Sequence, residues 1–241
     1  MKLTQTDVDN LQSILITCGI GNVESFIIEN GTLRGMNEEK SFAIISDHKI
    51  PNFTQKVGIS RLQSLRQRMD LFAGTEYSID AKETERGEIS LLDIAAGKSK
   101  AQFRCTSTVL IKAPSAINDE LLSRVTVTKD EMKLILNAMK VMGGKKVVLT
   151  IKKDETVQFQ IADATNDSFT TVVQNKVEAL IDGDGDSVTH YYPADVFSAV
   201  MRALGTDDIV FDVGARGIIR AAINGHAITL LPQIGDEGDD E

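Results

Sequence analysis

The sequence predicts an α+β fold of two similar domains, each with two helices packed on antiparallel sheets. Three observations carry this. Short apolar stretches with strand alternation dominate the chain. Four amphipathic segments of helical period interrupt them at wide intervals. One order, a strand, a helix and three strands, occurs twice in each half. Such recurrence marks a duplicated unit.

Residues 1–3 read as a short strand. In "TDVDNLQSILITC", residues 6–18, Val8, Leu11, Ile14, Leu15 and Cys18 share one helical face. "VESFIIENGTLRGM" is a hairpin turning at Asn30 and Gly31, and "KSFAIISD" is a further strand. "VGISRLQSLRQRMDLF" enters a second helix with Leu62, Leu65 and Met69 inward; "TEYSIDAKE", "GEISLLDIAA" and "KAQFRCTS" follow as strands. The second half repeats the order. Val125 to Val127 are a strand, and Thr128 with Glu131 forms a capping box for a helix over 128–142. "KKVVLTIKK", "TVQFQIAD" and "SFTTVVQNKVEALI" are strands, "VTHYY" leads into a helix over 193–204, and Pro193 suits its first turn. "DIVFDV", "GIIRAAI" and "HAITLLP" close the pattern, with Asn224 and Gly225 as the last hairpin turn. The irregular "IKAPSAINDELLSR" separates the halves. The expected division is 1–112 and 124–234, joined by a connector at 113–123 and followed by an acidic tail at 235–241.

The chain has 241 residues, 42% of them apolar, with 26 Lys+Arg against 35 Asp+Glu and a net charge of −9. That acidity argues against a nucleic-acid binder that grips with its whole surface. No apolar run approaches the ~20 residues that span a bilayer. "MKLTQTDVDN" is too polar for a secretory signal. Cys18 and Cys105 lack metal-ligand spacing and read as apolar fillers in a reducing, cytoplasmic setting, the host's cytoplasm for a viral protein.

Against this acidity, "VTVTKDEMKLILNAMKVMGGKK" gathers Lys129, Lys133, Lys140, Lys145 and Lys146. At 100° per residue, Met132, Ile135, Met139 and Met142 face inward, while Lys129, Lys133 and Lys140 cluster on the far side beside Asn137. Arg61 and Arg68 share a side of the second helix, and Arg202 lies opposite the apolar face of the fourth. The first helix exposes Asp9, Gln12, Ser13 and Ile16, with no base. A solvated face is the plain reading. The functional one is phosphate contact, because bases without interleaved aromatics suit the backbone of duplex DNA and not base readout.

Four stretches, "MKLTQTDVDNLQSILIT", "KKDETVQFQIADATNDSFTTVV", "LIDGDGDSVTHYYPADVFSAVMRAL" and "HAITLLPQIGDEGDDE", resemble in order those of a DNA sliding clamp. The similarity is to the polymerase processivity factor of T-even-type bacteriophages and, more distantly, to proliferating cell nuclear antigen. This resemblance implies the DNA clamp fold and a ring of six similar domains, hence a homotrimer. Helices would line the hole, and Lys129, Lys133, Lys140, Asn137, Arg61, Arg68 and Arg202 would face double-stranded DNA without reading its sequence. It implies a DNA polymerase as partner and a separate ATP-driven clamp loader. It also implies an apolar partner pocket from Ile117, Leu121 and Leu122 of the connector, Pro232 and Ile234 near the end, and Met36 and Phe42. Residues 100–112 of one chain would lie beside 168–180 of the next.

The other motifs point to no chemistry. "DGDGD" at 182–186 opens like a calcium loop, but Ser187 and Pro193 stand where its glycine and glutamate belong. His48, His190 and His226 share no ligand spacing, "GARGIIR" has too few glycines for a dinucleotide turn, and "GKSK" is a hairpin turn. No nucleophile set or nucleotide loop stands out, so neither catalysis nor a metal or other cofactor is expected. Two readings compete with the clamp: a scaffold of the same fold that does not encircle DNA, and a hydrolase using Asp182, Asp184 or Asp186 with a metal.

Overall fold

Thr4 starts the first helix, α1 (Gln5–Ile20), one residue earlier than the periodicity predicts. Its side chain accepts from the Asp7 amide while the Asp7 carboxylate accepts from the Thr4 amide. Aspartate in place of the usual Glu or Gln hides this capping box from a motif search. The Asp7 carboxylate also takes the Asn52 amide at 2.8 Å, which ties a loop 45 residues away to the helix start. Val8, Leu11, Ile14, Leu15 and Cys18 are buried, as their spacing requires.

The computed structural model describes residues 1–241 apart from 116, 154–155, 164, 166, 175–186, 206 and 234–241. The chain divides into two units: Met1–Ile117 with Ala222–Ile228, and Asn118–Ala221 with the described residues from Thr229 on.

In the first unit, β1 (Ser25–Glu29) and β2 (Thr32–Met36) form a hairpin whose turn residues Asn30 and Gly31 have φ of 52° and 72°. A two-residue turn of this hand matches strand twist. Strand β3 (Phe42–Ser46) pairs with β2, and β4 (Lys56–Ser60) pairs with β1. After α2 (Leu62–Asp70) come β5 (Ser78–Glu83), β6 (Glu88–Ala96) and β7 (Ser99–Arg104). The long β6 runs parallel to β4 at its start and carries β5 and β7 along its length. Residues 1–3 follow the β5 edge, with Ala81 N donating to Met1 O and Leu3 N to Ile79 O. They make one bridge, Lys2 to Asp80, rather than the predicted strand. Phe26, Leu33, Phe42, Ile44, Val57, Ile59, Leu65, Ile79, Leu92 and Ile94 are fully buried.

The second unit repeats the order with β8 (Leu121–Val127), α3 (Lys129–Met142), β9 (Lys146–Lys152), β10 (Thr156–Ala162), β11 (Ser168–Gln174), β12 (Ser187–Pro193), α4 (Ala194–Ala203) and β13 (Ile209–Gly214). The last hairpin is β14 (Ile219–Ile223) and β15 (His226–Leu230). Strand β8 starts inside the span read as connector. The antiparallel order β11-β10-β9-β12 carries α3 over β10 and β11 and α4 over β9 and β12, the two helices side by side. Register places Val147, Leu149 and Ile151 opposite Ile161, Phe159 and Val157 on one face, and Phe197 of α4 meets the rings of Phe159 and Tyr192 there. The capping box at Thr128 is present, and Gly143 ends α3 at φ 63°.

The last hairpin turns at Asn224 and Gly225 with φ of 55° and 85°. Its tip belongs to the first unit. Asn224 donates to Thr17 Oγ1 and accepts from Lys49 Nζ on its carbonyl, and buried His226 lies 3.0 Å from Ser13 Oγ through Nε2.

Candidate nucleic-acid and partner interfaces

The basic face of α3 is solvent-exposed: Lys129, Lys133, Asn137 and Lys140 point away from the buried Met132, Ile135, Ala138 and Met139. Met142, expected inward, is half-buried, and Leu134 and Val141 join the outer side at 49% and 82% exposure. Lys133 Nζ lies 3.7 Å from Asp130 Oδ1, but both side chains are mostly in water. Such a pair is worth only ~0–1 kcal/mol and leaves the lysine free for a phosphate. Asp130 and Glu131 sit in the first turn, and Asp208 accepts the Lys129 amide, so negative charge is confined to the start of the helix. Exposed Arg202 ends α4 in the same unit.

The arginines of α2 are engaged differently. Arg68 Nε donates to Gln102 O at 2.9 Å, and its Nη1 donates to Ser64 O at 2.8 Å. Arg61 Nη2 donates to Arg104 O at 3.1 Å. Both guanidiniums lie over the Phe103 ring, 5.3 and 5.9 Å from its centroid. Their partners are on β7, a contact that helical periodicity could not reveal because it depends on a strand some 34–43 residues away.

Of the candidate partner residues, Phe42 needs correction. It is fully buried, and a side chain at Gly21 would strike its ring, so it is core. Leu122 is also buried at 5%. In the first unit, Met36 and Ile117 are half-buried. In the second, Leu121 is 45% exposed and Pro232 half-buried. Ile234 lies outside the described residues, as does "DGDGD" at 182–186.

What the sequence reading missed is the lock on the connector's end. The Asp119 side chain, 2% exposed, accepts from the amides of Arg216 and Ile218 and lies 3.6 Å from Arg216 Nε. Its backbone carbonyl takes Arg220 Nη2 at 2.7 Å. His190 packs against Gly217, and Tyr192 donates its hydroxyl to the Gly217 carbonyl. Burial holds the His190 pKa below the usual value, against the raising effect of Asp119, so its ring stays neutral in this packing. Among the described residues no three His, Cys, Asp or Glu side chains group to hold a metal. Burial pushes the Cys105 thiol up to about 12, which makes it a poor nucleophile.

No protein-family profile matches the sequence, and no curated protein matches it. Solved structures do. PCNA of A. fulgidus, bound to the C-terminal region of FEN-1, aligns with a TM-score of 0.63 at 14% identity, over 98% of each chain. PCNA from Thermococcus kodakaraensis aligns at 0.61 and 9% identity, over 97% of this chain and 99% of that one. The chain has the DNA sliding-clamp fold. The Helicobacter pylori beta clamp, bound to a DNA ligase peptide, aligns at 0.66 and 10% identity, over 100% of this chain but 68% of the longer one. At such identities the clamp likeness resides in backbone topology. The side chains must be argued on this chain's own geometry. Among the described residues, no helix of this clamp fold is long and apolar enough to cross a membrane.

Proposed function

We propose that this chain is the subunit of a sliding clamp of the T-even phage type: three copies close into a ring around duplex DNA and tether a DNA polymerase, without catalysis of their own. The observation that carries this is a clamp fold whose α3 turns an exposed lysine face outward from an acidic chain. Lys129, Lys133, Asn137, Lys140 and Arg202 supply weak phosphate contacts, which hold a duplex without fixing register. The acidic remainder of the surface keeps DNA from binding elsewhere. In the ring reading, each subunit offers two strand edges, β7 and β11. Each is paired on one side only among the described residues. Joining β7 of one copy to β11 of the next removes both edges. A clamp loader driven by ATP opens the ring, and the exposed Leu121 with Pro232 and Ile234 receives a short apolar peptide of the polymerase.

The test is mass and topology. Light scattering at micromolar concentration should give three times the chain mass. Loaded protein should stay on circular DNA and leave once the circle is cut. Retention that ignores the cut makes the protein a scaffold that does not encircle DNA, and a monomer at all concentrations removes the ring.

A further inference from the structure

Strand β7 has an inner and an outer set of backbone groups. Cys105 N donates to Ser90 O at 2.9 Å, which fixes the phase of the ladder with β6. Phe103 and Ala101, opposite Leu92 and Ile94, share that phase. Antiparallel pairs alternate, so the amides and carbonyls of Gln102 and Arg104 point away from β6, along the free edge. These two outward carbonyls are the ones taken by Arg68 and Arg61. Arg61 reaches its carbonyl from a left-handed backbone, φ 55° and ψ 50°, at the start of α2, where its side chain makes no cap. A long side chain in that region costs on the order of 1 kcal/mol, and such strain persists only where its surroundings enforce it.

We propose that Arg61 and Arg68 guard the β7 edge: they hold its outward carbonyls in the separate subunit and release them to the amides of β11 of a second copy as the seam closes. This rests on the ring reading above. An added strand needs the same acceptors that the guanidiniums now use. The second copy fits as occupant for two reasons. Strand β11 is itself an edge among the described residues, of 7 residues against the 6 of β7. Apolar side chains stand exposed beside both edges, Val172 on β11 at 48% and, just beyond β7, Val109 and Leu110 at 82% and 75%. A guarded edge keeps the lone subunit from pairing with unrelated strands, and it makes the seam reversible because the released carbonyls have a partner waiting.

The experiment replaces both arginines by methionine (R61M with R68M), which keeps the stems on Phe103 and removes the donors. Sedimentation equilibrium over a concentration series, with amide exchange at Gln102 and Arg104, reads the seam. The concentration at half-assembly should fall about fivefold, two exposed charged hydrogen bonds no longer opposing it, and both amides should become protected at correspondingly lower concentration. Half-assembly at an unchanged or higher concentration overturns the guard. A wild type that stays monomeric while the double variant associates with protected Gln102 and Arg104 amides supports the guard and removes the ring. If neither associates, both proposals fall. R68M alone carries the same reading, with a smaller shift, should the double variant not fold.

Discussion

Lys133 shows how little a single residue reveals until its surroundings are known. Its charge was legible in the sequence and so was its side of the helix, because 3.6-residue periodicity depends on nothing beyond the helix itself. Changing Lys133 and Lys140 to glutamate should leave folding within ~0.5 kcal/mol, as for other exposed positions. DNA retention should weaken, with the slope of log affinity against log salt reduced by about 2 units per subunit. A salt titration of DNA binding checks this, and an unchanged slope makes these lysines a solvated face. Phe42 was not legible in the same way. Its fate depends on Gly21, whose missing side chain leaves the space its ring fills, and that pairing spans two elements.

At the scale of elements, the duplicated order and the Asn-Gly hairpins could be read directly, since turn chemistry and alternation are local. The start of α1 could not, because its capping box closes on Asp7 where Glu or Gln is usual, and the Asn52 amide that braces Asp7 comes from far along the chain. Burial raises the Asp7 pKa, but hydrogen bonds from Thr4 and Asn52 outweigh it and hold the carboxyl below its usual value. The folded pKa thus lies below the unfolded one, about 3.9. The stabilisation is present above that value and is lost as pH falls through the folded pKa. Asp7→Asn should cost about 1–2 kcal/mol at pH 7, and the gap to wild type should narrow below about pH 4. Urea melts at the two pH values test this. A gap that is the same at both would place the effect in packing and not in the charge.

For the whole molecule, the clamp topology was legible because strand and helix order repeats, while the engagement of α2 with the β7 edge was not, because strand order within a sheet is invisible to periodicity. The partner surface is the part that only function can test. Leu121→Ser with Ile234→Ser should abolish polymerase stimulation while assembly mass and retention on circular DNA stay unchanged. Leu121 is nearly half exposed, so its replacement leaves the core intact. Normal stimulation by that variant moves the docking site elsewhere.

The tip of the last hairpin has a consequence for biosynthesis. The first unit includes Ala222–Ile228, although the rest of it ends at Ile117. On the ribosome, at ~5–20 residues per second, roughly 6–20 s pass between these two segments. Throughout that interval Ser13 and Thr17 of α1 wait for His226 and Asn224, and β3 has no neighbour beyond β2. The first unit of this chain therefore emerges first yet stays incomplete until almost the whole chain has been made, and a nascent chain stalled before the hairpin would present an open sheet edge to whatever chaperone stands at the exit tunnel.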